Sequence, residues 1–211
     1  MNEDYKILTE GGTAETELKK SRFIANVAPA ASKEEAEAFI DKIKKKYFDA
    51  RHNCYAYVIG KDGDVAKFSD DGEPGQTAGL PMYSVIKESG IRNVVVVVTR
   101  YFGGTLLGAG PLSGMYREAT ALGLSASQTA WMRFGTEVKV ATDYADGDKT
   151  KRYFERENIE VVDITYSERV VCTIRTSSDN YENMVRDVTS ITASRAEFFD
   201  KKEAYFIDRN S

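Results

Sequence analysis

Two hydrophobic periods run through this chain, and most of its elements can be placed from them alone. Residues 5–30 read as extended: Thr13, Glu15 and Glu17 alternate with small residues and Leu18, and Phe23, Ile24 and Val27 follow Ser21-Arg22. This predicts two strands around a turn near Lys19-Lys20. Ser32 with Glu35 three residues on is a capping box. Behind it Ala36, Phe39, Ile40, Ile43 and Tyr47 recur at helical spacing as one buried stripe. Tyr55, Tyr57 and Ile59 alternate as a strand, Lys61-Asp62-Gly63-Asp64 turns, and Val65, Lys67 and Phe68 return to complete a hairpin. From Ala78 to Ser89, Leu80, Met82, Tyr83, Val85 and Ile86 supply the apolar residues of a short helix that Gly90 ends.

At Val94 the period disappears. Five consecutive valines, Val94 to Val98, read as a strand buried on both faces. Thr99 and Arg100 close it, Tyr101 and Phe102 follow, and a loop then carries Gly103, Gly104, Gly108 and Gly110. Pro111 fits the first position of a helix that continues toward Leu124. After a small, polar run at Gly123 to Ser127 a boundary is placed near Trp131, and a second pattern begins. Strands are expected at Thr136 to Tyr144, around Val162, Ile164 and Tyr166, around Val170, Cys172 and Ile174, and at Arg195 to Phe206. Helices are expected at Asp148 to Asn158 and from Asp179 through Met184, Val185, Val188 and Ile191. The resulting β-α-β-β-α-β order is the split βαβ, or ferredoxin-like, arrangement.

Length and composition bound the function. The chain has 211 residues, 42% hydrophobic and 29% charged, as an ordinary soluble protein of one large or two small domains does. No apolar stretch approaches the roughly 20 residues of a membrane span. The opening Met1-Asn2-Glu3-Asp4 shows no signal-peptide pattern, and the two distant cysteines, Cys54 and Cys172, suit reduced thiols, so the cytoplasm is the expected location. A formal net charge of −4 argues against broad nonspecific nucleic-acid binding but allows a local basic patch. From Trp131 onward there are 13 basic and 16 acidic residues, no histidine and no glycine loop, which suits docking rather than chemistry.

The first half holds the candidate chemistry. A strand, a glycine loop and a helix start can aim backbone N–H groups at a small anion, or form a tight turn that folds the helix back. Phe68 to Pro81 holds Asp70, Asp71 and Glu73 among turn formers. Those carboxylates can hold a hard cation or move protons, but structural capping of backbone N–H groups is the favoured reading. Lys42, Lys44, Lys45 and Lys46 are better explained by the negative end of a helix dipole than by phosphate binding. His52, the only histidine, has no zinc-type partner spacing and reads as structural.

Five stretches carry a specific likeness: KKSRFIA at Lys19 to Ala25, HNCYAYVIG at His52 to Gly60, FSDDGEP at Phe68 to Pro74, TAGLPM at Thr77 to Met82, and NVVVVVTRYFGGTLLGAG at Asn93 to Gly110. With these the chain resembles the IMPACT family in its bacterial, YigZ-like form. The likeness covers most of the first domain; the second matches mainly in length and element order. It implies an N-terminal α/β sandwich of the type found in a small-subunit ribosomal protein and in domain IV of elongation factor G. It also implies a ferredoxin-like C-terminal domain similar to domain V of that factor. The family is linked to translation control and the stress response, its eukaryotic members binding a partner of a stress kinase, and it brings no established reaction. Two departures stand out. Gln76 occupies a position where the family carries glycine, and Ser113-Gly114-Met115-Tyr116 stands where it carries a basic Arg-Ala-Tyr, removing one phosphate-binding donor.

The expectation is therefore a two-domain α+β protein, 1–133 and 134–211, with a non-catalytic, translation-associated binding role and no cofactor or metal. RNA, the ribosome or a translation-control protein is the expected partner, with no membrane, and a small-molecule anion is a candidate at the glycine loop. The binding surface is placed on Arg100, Tyr101, Phe102, Gly103, Gly104, Gly108 and Gly110 together with Asp70, Asp71 and Glu73; Lys20 and Arg22 flank it, and Arg51 and Arg92 are further donors. Arg100 is expected to bind an anion, the alternative being an internal pair with one of the three carboxylates. The alternative functions are a small-molecule kinase of the galactokinase–homoserine kinase type, opposed by the absent P-loop lysine, and a metal-assisted hydrolase using Asp70, Asp71 and Glu73.

Overall fold

The valine run lies at the middle of a five-stranded sheet. The structure is a computed structural model that describes residues 4–208, so the polar opening Met1-Asn2-Glu3 lies outside the described residues. The chain is a two-domain α+β protein whose residues divide into the units Tyr5–Trp131 and Met132–Asp208.

In chain order the first unit contains β1 (Tyr5–Glu10), β2 (Thr13–Leu18), β3 (Ser21–Pro29), α1 (Lys33–Lys46), β4 (His52–Ile59), β5 (Val65–Ser69), α2 (Gly79–Ser89), β6 (Ile91–Arg92), β7 (Val94–Tyr101) and α3 (Ala109–Ser125). Its sheet runs β2-β3-β7-β4-β5, with every neighbour antiparallel. Val94, Val96 and Val98 pack with Phe23, Met82, Ile86 and Tyr116 under α2 and α3, whereas Val95 and Val97 pack with Ile40, Ile43 and Tyr57 under α1. Helices thus cover both faces, and β7 shows no period because neither of its faces meets water. Burying each valine contributes about 1.5–3 kcal/mol.

The local signals act as their chemistry requires. Ser32 Oγ accepts from Glu35 N at 3.2 Å, and the Glu35 carboxylate reaches back to Ala31 N at 2.7 Å. Gly90 ends α2 at φ 72°. Lys19 and Lys20 turn with φ 48° and 63° between β2 and β3. The N-terminal stretch departs from expectation, since three strands stand where two were expected. Gly11 and Gly12 divide it. A Cβ on Gly11 would lie 1.9 Å from the carbonyl oxygen of Val27, and Val27 N donates to Gly12 O at 2.9 Å. The chain in front of that contact leaves the five-stranded sheet and pairs β1 in parallel with β6.

The second unit contains most of β8 (Gln128–Thr142), then α4 (Tyr144–Arg156), β9 (Glu160–Tyr166), β10 (Val170–Ser177), α5 (Ser178–Ile191) and β11 (Glu197–Asp208). The order is β-α-β-β-α-β and the strands lie β11-β8-β10-β9. Val138, Val140, Cys172 and Ile174 meet Phe154, Met184 and Val188 in its core. Two boundaries differ from expectation. β8 starts at Gln128 rather than Thr136, because its first half is only partly buried and carries no apolar repeat. α4 starts at Tyr144 rather than Asp148. Its first turn holds Gly147, a poor helix former, kept small by Val170, whose Cγ2 would lie 3.2 Å from an added Cβ.

Among the described residues no helix is long and apolar enough to cross a membrane. If the second unit holds its own core, residues 132–211 expressed alone will melt in one cooperative transition by circular dichroism; a broad, non-cooperative melt would refute its independence.

Candidate functional site

The acidic loop between β5 and α2 closes on itself through its carboxylates. Asp70 Oδ1 accepts from Ala78 N and Gly79 N at 2.9 and 2.8 Å, and Oδ2 accepts from Gln76 N at 2.8 Å. Asp70 therefore caps the start of α2, whose own N-cap residue Ala78 makes no side-chain bond. Asp71 Oδ2 accepts from Asn53 N, and Oδ1 accepts from Lys44 Nζ, both at 2.7 Å. His52 Nδ1 lies 2.9 Å from the Asp71 carbonyl oxygen, which requires the proton on Nδ1. The left-handed backbone at Asp71, Gly72 and Gln76, with φ 42°, 86° and 64°, makes the loop tight enough for these bonds. At Gln76 that conformation is the one in which glycine, expected there from the resemblance, costs least.

Glu73 is the centre. Its side chain is 3% exposed and that of Arg100 is 7% exposed. Arg100 Nη1 donates to both Glu73 oxygens at 2.8 and 3.0 Å, and Tyr116 Oη donates to Oε1 at 2.8 Å. Cys54 Sγ lies 3.0 Å from Asp70 O and 3.3 Å from Tyr116 Oη. The guanidinium of Arg100 stacks between Phe23 and Phe102, 5.4 and 5.7 Å from their ring centres. Burial pushes the Cys54 thiol far above its ordinary range. The Tyr116 hydroxyl is pushed up too, by burial first and then by Cys54 and Glu73. Neither group ionises near neutral pH, so neither is held as a thiolate or phenolate nucleophile.

The glycine loop divides into parts with different physical reasons. A Cβ on Gly103 would lie 2.2–2.5 Å from the backbone of Lys19, Lys20 and Ser21, and Gly103 N donates to Ser21 Oγ at 3.1 Å. Gly103 is thus the seat of the β2–β3 turn. Gly104 and Gly108 adopt φ 86° and 83°. Gly110 lies in the first turn of α3 and faces open space. The helix starts two residues before Pro111, with Gly108 as N-cap, no side-chain cap and no acidic residue in its first turn.

The expected site residues are therefore brought together only in part. Asp70, Asp71, Glu73, Arg100 and Phe102 join one network, and Lys20 leans on Gly103. Arg22 lies apart from that network, paired with Glu15 at 2.7 Å and 5.9 Å from the Tyr101 ring centre; Tyr101 in turn donates to Asp49 at 2.7 Å. Arg92 sits on β6 against Gly63, away from the loop. Arg100 is placed as an internal lock, not as an exposed anion binder: its side chain is buried and Glu73 neutralises it. Lys44, read as dipole compensation, also makes an ion pair with Asp71. Tyr116, Cys54, Ser21 and Asn53 were missed. The alternation of β4 and β7, which puts His52 and Cys54 on the Arg100 face, held the signal for Cys54.

Removing one member of a buried pair strands the other, so Arg100→Ala should lower unfolding stability by about 3–5 kcal/mol in urea titration. Arg22→Ala, at the exposed pair, should leave the midpoint near that of the parent. Near-native stability of Arg100→Ala would show that the pair is not a lock.

The stretch that holds the lock and much of the second unit match known protein families. The Impact N-terminal domain family matches residues 19–124, and a domain of unknown function, DUF1949, matches residues 140–195. The chain is 38% identical to the IMPACT family member YvyE of Bacillus subtilis over 81% of its own length and 78% of that protein. It is 32% identical to an IMPACT family member of Haemophilus influenzae, over 91% of this chain and 94% of that one. With YigZ of Escherichia coli the identity is 45%, over 49% of this chain and 52% of that protein. The crystal structure of a hypothetical protein aligns with TM-score 0.61 at 28% identity, over 94% of this chain and 98% of that one. The match to the Impact N-terminal domain over half of the chain, and relatives of 38% and 32% identity aligned across most of their length, place this chain in the IMPACT family.

Proposed function

We propose that this chain is a non-catalytic, translation-associated binding protein. The observation that carries the proposal is the engagement of its reactive groups with one another. Asp70, Asp71, Glu73, Arg100, Cys54 and Tyr116 are the residues from which a hydrolase or phosphotransferase would be assembled here. Every one of them holds the fold together. Recognition is then the work of the exterior. The antiparallel sheet with helices on both faces in the first unit, and the β11-β8-β10-β9 order in the second, support a likeness to domains IV and V of elongation factor G. That likeness favours a partner in translation: RNA, the ribosome or a translation-control protein, met in the cytoplasm.

A tagged chain in an extract of its own cytoplasm is expected to co-sediment with ribosomal particles. Its absence from ribosomal, RNA and translation-factor fractions alike would overturn the proposal, and nuclease treatment separates RNA contact from protein contact.

A second reading, a small anion at the start of α3, is favoured by the uncapped first turn of that helix. The kinase form of it predicts that millimolar ATP with Mg²⁺ raises the melting temperature by mass action. No shift is expected, because Gly103 N is already bonded to Ser21 and no P-loop lysine accompanies the loop.

A further inference from the structure

One end of the first unit gathers positive charge and aromatic rings beyond what the fold requires. α1 finishes there with Lys44, Lys45 and Lys46. β7 ends there at Tyr101, which lies opposite Arg22 of β3. Arg51 comes one residue before His52, which lies opposite Arg100, so it continues beside Tyr101. Asp49 ties the end of the helix to the end of the strand by accepting from Tyr101 Oη at 2.7 Å. The Lys19-Lys20 turn extends the same end, since its backbone rests on Gly103, two residues beyond Tyr101.

Two of these cations are neutralised, Arg22 by Glu15 and Lys44 by Asp71. Lys19, Lys20, Lys45, Lys46 and Arg51 form no ion pair among the described residues. Concentrated cations are unexpected on a chain of net charge −4. The dipole of α1 accounts for the lysines of its last turn, but not for Arg51 or for the Lys19-Lys20 turn on a different element. Two exposed rings stand among them, Phe48 and Phe102, the second with Arg100 against it. Phe48 is 85% exposed and Phe102 is 49% exposed. Leaving Phe48 in water has no folding rationale, whereas a ring face between cations is what a stacked base needs.

We infer that this end binds single-stranded nucleic acid, with phosphates on Lys20, Lys45 and Arg51 and bases stacked on Phe48 and Phe102. The inference rests on the binding function proposed above and names its ligand. A duplex keeps its ring faces inside the stack, and a lipid surface offers none, so the pairing of rings with cations selects a polyanion whose bases are free. Contacts of this kind tolerate sequence and weaken with salt. The surface lies beside the glycine loop and uses none of the carboxylates of the lock.

The test uses the full chain and a short fluorescein-labelled oligouridine, followed by anisotropy. The parent protein is expected to bind with an affinity that falls as salt rises. The double variant K20E/R51E should lose about tenfold or more, and Phe48→Ala about fivefold or more, with unchanged melting temperatures because all three side chains are on the surface. Failure of the parent to bind, equal binding of a duplex, or variants that bind like the parent would each overturn the inference. Co-sedimentation with ribosomes that survives K20E/R51E would overturn it while leaving the translation role in place. Oligouridine binding without any ribosomal or translation-factor association would support the nucleic-acid surface and refute the translation role.

Discussion

Arg100 carries a full charge at the end of a strand that has helices on both sides, and the first unit is arranged around neutralising it. An unpaired guanidinium at that depth would be several kcal/mol out of balance. Glu73 answers it, and for Glu73 to arrive the loop after β5 must turn sharply inward. Asp70 and Asp71 make that turn stable by accepting backbone and lysine protons, and in doing so fix where α2 begins. Tyr116 then brings α3 to the same carboxylate. Two helices, a loop and the central strand thus depend on one ion pair.

Much of this was legible in the residues. The five valines announced a doubly buried strand, Ser32 and Glu35 a helix start, Gly90 a helix end, and the Asp-rich loop a capped structure. The order of elements in the second unit could also be read, because Val138, Val140, Cys172 and Ile174 alternate clearly. What escaped has physical causes. Gly11 and Gly12 divide the first extended stretch through a contact with Val27, a residue distant in sequence. The first half of β8 is held by pairing rather than by burial. The orientation of Arg100 depended on a choice between solvent and a carboxylate 27 positions away, and local patterns do not decide such choices.

The structure separates the two signs of charge by task. In the first unit Asp70, Asp71 and Glu73 are taken up by the loop and the lock, and Glu15 pairs with Arg22. Several cations stay outside, with aromatic rings between them. An acidic chain can therefore present a basic face without any excess of lysine and arginine, since what a partner meets is the distribution of charge and not its sum. Composition alone, which pointed away from broad nucleic-acid binding, therefore says little about any one face.

The contact at Gly103 has an evolutionary consequence. It fixes two turns against each other through backbone atoms alone, leaving no room for a side chain at position 103. The contact uses the backbone of Lys19 and Lys20 rather than their side chains, and the left-handed turn limits those positions only to residues that tolerate a positive φ. Scaffold and specificity are thereby largely uncoupled: the same seat can carry other residues that tolerate a left-handed backbone at 19 and 20 without rebuilding the sheet. A lineage could exchange one partner for another by rewriting a few exposed positions while the architecture beneath them stayed unchanged.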